Sequence, residues 1–291
     1  MTWLIVGGNG QLGRAMQAEL FIHGIEFLSL DHAQLDITNE VEIRSVLRSA
    51  RPNIVLNAAA WTRVDDAEGS ETEARKVNAF GAGCLAKNCL LINSKLVHIS
   101  TDYVFSGFSN NPWSEGDDVN PISAYGRTKA EGEVLVQELS QHEALIVRTA
   151  WLYSPWGKNF AKTMLRLALH ETRKVEVVSD QIGQPTSAKD LVRQIRKMVD
   201  ANVPPGIYHG TNGGEATWFD FAREIFSIAG ADPKRVIPVE SSKYMRVAKP
   251  PSYSVLGHNM WVKVEMKPMN NWNDALKEAM PSIISSLRKE G

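Results

Sequence analysis

Two cysteines in 291 residues, Cys84 and Cys89, are too few for a disulfide-stapled scaffold. Both fall in one helical stretch and read as small residues kept reduced. An excess of either charge is also missing: 32 basic against 33 acidic residues leave a net charge of -1. Proteins that grip a phosphate backbone carry a basic excess, so no nucleic-acid partner is expected. No apolar run approaches the roughly 18 residues of a membrane span. Met1-Thr2-Trp3-Leu4-Ile5-Val6-Gly7 has neither the basic start nor the long apolar core of a secretion signal. The expected setting is therefore the cytoplasm, with no membrane partner. Repeats, low-complexity tracts and His/Cys clusters that would suggest a metal are absent too. What is present is an ordinary globular composition, 43% hydrophobic and 22% charged. The length suits about two domains.

The first half alternates short apolar runs with amphipathic stretches. Residues 3–6, 26–30, 53–57, 95–99 and 144–147 read as strands. Residues 11–22, 39–49, 71–91 and 124–139 read as helices. The strands are continuous apolar runs, which indicates burial on both faces. The repeated β-α-β order implies a parallel, doubly wound sheet. After about residue 150 the loops lengthen and prolines enter, among them Pro155, Pro185, Pro204, Pro250 and Pro251. Helices are expected at 160–170, 188–203 and 218–229, and a sixth strand at 174–178. The fold class read from this is α/β. A Rossmann-type parallel sheet covers residues 1–150. A smaller substrate-binding domain covers 151–291, with some segments returning to the sheet.

The first strand runs into Gly7-Gly8-Asn9-Gly10-Gln11-Leu12-Gly13, followed at once by a helix. Glycines let the backbone turn sharply and approach a pyrophosphate, and the helix N-terminus offers free N–H groups to that anion. Gly7, Gly10, Gln11, Leu12 and Gly13 are thus expected to hold a dinucleotide. Asp31 ends the second strand, where an acid binds a ribose 2′-hydroxyl and repels a 2′-phosphate. The cofactor is NADH or NADPH, with a lean to NADH. Asp36 and Ile37 stand where they could reach the adenine edge; a turn or helix-capping aspartate is the other reading of Asp36. Asn57-Ala58-Ala59-Ala60 ends the third strand with small side chains that allow close approach of a cofactor, or simply tight packing.

Tyr125 and Lys129 are four residues apart at the start of a helix, hence on one face. A free tyrosine has a pKa near 10, and a neighbouring ammonium is expected to lower it toward proton transfer at neutral pH. Lys129 can also hold the nicotinamide ribose. The fourth strand ends at Ser100-Thr101-Asp102-Tyr103-Val104-Phe105. Ligands lie beyond the carboxyl ends of such strands, so Thr101 is placed to bind a substrate oxygen beside Tyr125.

Together these residues resemble the extended short-chain dehydrogenase/reductases, and within them the dTDP-4-dehydrorhamnose reductase family. The resemblance covers about residues 3–230. It rests on Gly10-Gln11-Leu12-Gly13, Asn57 to Thr62 with Val64-Asp65 and Ala67-Glu68, Val77-Asn78-Ala79, Ser100 to Phe105 and the segment around Tyr125 and Lys129. Arg148 to Tyr153, Gly157 to Phe160 and Asp180 to Thr186 lie outside any generic dinucleotide pattern and point to the sugar-nucleotide reductases. The resemblance implies hydride transfer from the nicotinamide to C4 of a nucleotide-linked 4-keto-6-deoxy sugar. Tyr125, Lys129 and Thr101 would be catalytic, and Ala58, Ala59, Ala60 and Thr62 would join the cofactor site. Thr101 and Asp102 would orient the sugar, Tyr103 would lie close by, and Trp151 would pack on the sugar. Trp151, residues 184–186 and residues 246–254 are expected to face the cleft between the domains.

Two departures stand out. Pro250 replaces the usual arginine ahead of the Ser-x-Leu segment, leaving Arg246 or Lys249 to meet a diphosphate. Members that share Mg²⁺ across a homodimer carry a glutamate just after the glycine loop; Ala15 stands here, so no metal is expected, and the chain is a monomer or homodimer. Two other activities use similar residues. Epimerases and dehydratases of the superfamily do so, but dehydratases place Asp-Glu where Asp102-Tyr103 stands. A regulatory subunit of methionine adenosyltransferase binds NADP without turnover.

Overall fold

The structure is a computed structural model that describes residues 1–290. The first half runs β1 (Trp3–Val6), α1 (Gln11–Ile22), β2 (Phe27–Leu30), α2 (Glu40–Ala50), β3 (Ile54–Asn57) and α3 (Val64–Gly69). It continues through α4 (Glu71–Arg75), a π-helical segment (Lys76–Gly81), α5 (Ala82–Leu91), β4 (Lys95–Thr101), α6 (Ala124–Leu139) and β5 (Leu145–Thr149). The second half holds β6 (Leu152–Tyr153), α7 (Phe160–His170), β7 (Val175–Val178), β8 (Ile182–Gly183), β9 (Thr186–Ser187) and α8 (Ala188–Asp200). It ends with β10 (Gly206–His209), β11 (Ala216–Thr217), α9 (Trp218–Ile228), β12 (Val236–Val239), α10 (Asn259–Lys263) and α11 (Trp272–Glu290).

The central sheet has six strands in the order β10-β5-β4-β3-β1-β2, all parallel. Its strand order reverses between β1 and β3, and a crevice opens at such a point beyond the strand ends. Alternate residues explain the unbroken apolar runs. Trp3, Ile5, Leu56, Val97 and Val147 pack on α1 and α8, while Leu4, Val6, Val55, Leu96 and Ile146 pack toward α2 and α5. The strand expected at 174–178 forms as β7, but it pairs with β12 in a separate two-stranded sheet. The sixth central strand is β10, which lies beside β5. The short run Gly-Ile-Tyr-His carries too little pattern to single it out in the sequence. A further apolar core is built from residues after 150, including Tyr153, Leu165, Phe221, Phe226 and Ile283.

Besides β10, helix α8 brings the second half back to the sheet. Its Leu191, Val192, Ile195, Met198 and Val199 share a core with Leu12, Met16 and Leu20 of α1. No helix of the described residues is long and apolar enough to cross a membrane.

Beneath the strand ends lies a buried ion pair. Arg148 of β5 reaches Glu133 of α6 through two hydrogen bonds of 2.9 and 2.7 Å, and the guanidinium carbon sits 4.9 Å from the centre of the Phe105 ring. Removing one partner leaves a lone buried charge, which costs about 3–5 kcal/mol, whereas removing both costs far less. Arg148→Met is therefore expected to lose that much stability in urea unfolding, and Arg148→Met with Glu133→Leu to recover most of it. A double variant no more stable than the single one would contradict this.

Candidate active site

The phosphate loop follows from the β1 backbone. Gly7 has φ of +84°, and a Cβ there would lie 2.7 Å from the Ala59 nitrogen. Only glycine lets the end of β1 lie this close to the end of β3. Gly10 caps α1 without a side-chain hydrogen bond, and the first turn of α1 carries no acid. The helix start is thus left to backbone N–H groups with the positive dipole end behind them, which suits a pyrophosphate. This donor set fits a dinucleotide.

The individual residues of the loop differ in what their side chains do. Gln11 Oε1 accepts from Ser154 Oγ at 3.0 Å and Asn159 Nδ2 at 2.9 Å. Its amide oxygen ties the glycine loop to the second half of the chain. Asp31 receives Asn9 Nδ2 at 2.5 Å and the Ala33 N–H at 3.0 Å. Asp36 closes a turn, accepting the Thr38 N–H and hydroxyl at 2.9 and 2.8 Å, and the amide bond holds its carboxyl below the ordinary range. Ile37 is buried against Gly81, and Thr62 is exposed beyond half-buried Ala58, Ala59 and Ala60.

Tyr125 is set by the start of α6. Ser123 caps the helix by accepting the Gly126 N–H at 3.1 Å, and Glu68 of α3 accepts the Ala124 N–H at 2.8 Å. A Cβ on Gly126 would lie 2.2 Å from the Tyr103 carbonyl oxygen. Glycine at that position therefore brings the helix start onto the chain leaving β4. The Tyr103 and Tyr125 rings meet edge to face with centroids 5.6 Å apart. The π-helical segment adds a second brace: Asn78 bonds the Trp61 N–H at 2.8 Å and Thr128 Oγ1 at 3.1 Å.

Thr101, Asp102 and Tyr125 come together at the end of β4. Thr101 Oγ1 donates to Asp102 Oδ1 at 3.0 Å and accepts the Tyr103 N–H at 3.2 Å. Burial pushes the Asp102 carboxyl up to about 6, against the hydroxyls of Ser254 and Thr101. One expectation is reversed. Burial pushes the Tyr125 hydroxyl up to about 12, against the nearby Thr101 hydroxyl, and the Asp102 charge adds to the rise. No lowering by Lys129 is seen. The Lys129 ammonium instead turns under β4, donating to the Ile99 carbonyl at 2.6 Å, with His98 Nε2 at 3.3 Å. Burial lowers it to about 8, although Glu133 opposes the shift.

The second half closes over this point. Residues 252–254 run beside β8, with the Ile182 N–H donating to the Ser252 carbonyl and the Ser254 N–H to the Ile182 carbonyl. The Tyr253 N–H reaches the Gly107 carbonyl, and the Trp113 indole N–H reaches the Tyr253 carbonyl. Ser254 thereby meets Asp102, and Arg246 lies near enough to Tyr103 for its charge to act on that phenol. Gln184 is buried and ties both backbone groups of Leu256 to Thr211. Trp151 stacks on Trp218 with centroids 3.5 Å apart and lies against Gly183, the packing role its residue type suggests. Gln184 and Ser254 lie in segments that the resemblance picked out, but their partners Leu256, Thr211 and Asp102 are not legible from any local pattern. His98 is legible: it is a polar residue inside an apolar strand.

Among the described residues no group of three or more His, Cys, Asp or Glu is placed to hold a metal ion. The glycine loop lies at the switch point of a parallel sheet, with Thr101 and Tyr125 at the end of β4 and Lys129 turned under that strand.

The family described as RmlD substrate binding domain matches residues 1–284. The chain is 45% identical over 282 residues to a dTDP-4-keto-6-deoxy-D-glucose reductase of Streptomyces niveus, covering 97% of each. The crystal structure of a dTDP-4-dehydrorhamnose reductase from Clostridium acetobutylicum superposes with a TM-score of 0.92 at 42% identity, covering 97% of this chain and 99% of that one. A dTDP-4-dehydrorhamnose reductase from Bacillus anthracis, in complex with NADP, gives a TM-score of 0.92 at 39% identity, covering 96% and 98%. The chain belongs to the RmlD substrate-binding family.

The Gln11 side chain separates two roles. Gln11→Leu keeps the backbone amides but removes the acceptor shared by Ser154 and Asn159, so stability is expected to fall by about 1–3 kcal/mol. The dissociation constant for NADH or NADPH should move less than tenfold in a fluorescence titration. Collapse of cofactor affinity at unchanged stability would instead assign the side chain to the cofactor.

Proposed function

We propose that the chain reduces the C4 ketone of a nucleotide-linked 4-keto-6-deoxy sugar, with dTDP-4-dehydro-L-rhamnose, giving dTDP-L-rhamnose, as the substrate first in line. The observation that carries this reading is the meeting of Thr101 and the Tyr125 hydroxyl at the end of β4, under a lid formed by residues 252–254. The names of the similar proteins support the substrate class. Residues 1–150 would hold the dinucleotide and residues 151–291 mainly the sugar nucleotide. The two free cysteines suit a cytoplasmic setting.

The bound nicotinamide would supply the hydride. The residues of the chain have the remaining tasks. Gly7, Gly10 and the backbone of Gln11, Leu12 and Gly13 would hold the pyrophosphate. Ala58, Ala59, Ala60 and Thr62 would line its path, with Asp36 and Ile37 toward the adenine. Charge develops on the ketone oxygen during reduction, and a proton must reach it. The Tyr125 hydroxyl, pushed up to about 12, keeps its proton at neutral pH and can give it to an alkoxide, which is far more basic. A raised value therefore suits a proton donor in the direction of reduction. Thr101 would bind the same oxygen. Asp102, Tyr103 and Trp151 would orient the sugar, and Arg246 would meet the diphosphate in place of the arginine that Pro250 displaces. Lys129 would hold the nicotinamide ribose.

Asp31 favours NADH, because its carboxylate would face a 2′-phosphate. Asp31→Ala is expected to raise the ratio of kcat/KM for NADPH over NADH about tenfold, the equivalent of ~1.4 kcal/mol. A wild type strongly selective for NADPH would remove this role.

Tyr125→Phe keeps the ring and its edge contact with Tyr103 but removes the acid. Turnover of the 4-keto sugar nucleotide is expected to fall roughly 10²–10⁴-fold, with cofactor binding and folding nearly unchanged. Near wild-type reduction by this variant, in a cofactor-oxidation assay, would sink the mechanism. A wild type that binds cofactor but reduces none of a panel of such sugars would favour the regulatory-subunit reading.

A further inference from the structure

Behind Lys129 lies a chain of buried polar groups that the reduction chemistry does not by itself require. Asn57 ends β3, His98 sits in the middle of β4, and Lys129 is one turn into α6; each is no more than 1% exposed. Asn57 Nδ2 lies 3.0 Å from His98 Nδ1, and His98 Nε2 lies 3.3 Å from Lys129 Nζ. At the other end, Asn57 Oδ1 accepts the backbone N–H of Ala59 at 3.2 Å.

That last bond fixes the direction of the whole chain. A backbone N–H can only donate, so the oxygen of the Asn57 amide must face Ala59. The amide NH₂ then faces His98, and NH₂ can only donate. His98 Nδ1 must therefore be the bare, accepting nitrogen. Burial keeps His98 from protonating whether or not Lys129 is charged, so the ring is neutral and carries one proton. With Nδ1 bare, that proton is on Nε2 and points at Lys129 Nζ. An ammonium has three donors and no acceptor, so it meets this N–H donor to donor; a free amine can accept it.

We propose that Asn57 and His98 are positioning residues that present an N–H donor to Lys129 and so favour its free amine over its ammonium. The other charged and titratable groups around Lys129 act differently. Glu133 on the same helix favours the ammonium, but its carboxylate is engaged by Arg148 of β5. Tyr125, on the same helix, and Asp102, beyond β4, face each other across Thr101, and the Ile99 carbonyl accepts from Lys129 in either state. The desolvation that lowers Lys129 to about 8 acts in the same sense as the His98 donor. The consequence for function rests on the proposed role of Lys129 toward the cofactor: affinity for a bound dinucleotide would weaken as pH rises through the Lys129 midpoint.

The test uses the full chain labelled with ¹⁵N-histidine. Long-range ¹H–¹⁵N correlation reads which ring nitrogen carries the proton, and His98 is assigned by the signal lost in His98→Gln. A bare Nδ1 and a protonated Nε2 are expected in the wild type. Asn57→Asp replaces the donating NH₂ by an accepting oxygen while keeping an acceptor for the Ala59 N–H, so the proton is expected to move to Nδ1. Nε2 then becomes an acceptor for the ammonium. The pH midpoint for weakening of NADH or NADPH binding should rise by about one unit. A wild-type His98 protonated on Nδ1, or on both nitrogens, would overturn the proposal, as would an unchanged midpoint in a variant whose tautomer had reversed. The wild-type tautomer needs neither a folded variant nor turnover. A correct tautomer in a chain that reduces no keto sugar would count against the proposed function and leave the relay standing.

Discussion

Burying the Lys129 ammonium is the constraint around which the rest of the site is organised. Taking a charge out of water costs several kcal/mol unless neighbouring groups offset it. Here only the Ile99 carbonyl accepts from it directly, the Glu133 charge acts at longer range, and the His98 ring nitrogen 3.3 Å away presents a donor instead. Groups arranged at this cost are characteristic of functional sites rather than of cores. The geometry that holds Lys129 also fixes Tyr125. Both sit in the first turns of one helix, and that helix start is pinned by Ser123, Glu68 and the contact of Gly126 with the Tyr103 carbonyl. A shift of α6 would move the acid and the ammonium together.

The second constraint is the coupling between the two halves of the chain. The sheet provides the strand ends, and residues 252–257 run between β8 and the loop after β4, tying the second half to that end of the sheet. Gln11 performs the corresponding task at the glycine loop by holding Ser154 and Asn159. Thus the glycine loop and the segment 252–257 are each hydrogen-bonded between the two halves of the chain. Closing a site in this way excludes water from the reacting centre.

Much of this was legible in the sequence. The strands and helices of the first half follow from buried apolar runs and from 3.6-residue periodicity, and Tyr125, Lys129 and Thr101 follow from spacing and from position at a strand end. Three features were not. The sixth central strand is the short run 206–209, far from β5 in sequence, so only the tertiary pairing identifies it. The side chain of Gln11 faces the second half rather than a phosphate, because its partners Ser154 and Asn159 are more than a hundred residues away. The raised Tyr125 hydroxyl depends on burial and on where the Lys129 side chain turns, neither of which a four-residue spacing contains. His98 was visible as a polar residue in an apolar strand, but its bond to Asn57 depends on the β3–β4 register.

The central claim is net hydride transfer to the sugar C4. It is tested most directly with cofactor carrying deuterium at the transferable position of the nicotinamide C4, incubated with a nucleotide-linked 4-keto-6-deoxy sugar, and with the product read by NMR. The account predicts one deuterium at C4 of the product and one oxidised cofactor for each sugar reduced. A product without deuterium at C4, or turnover with no net oxidation of cofactor, would contradict it.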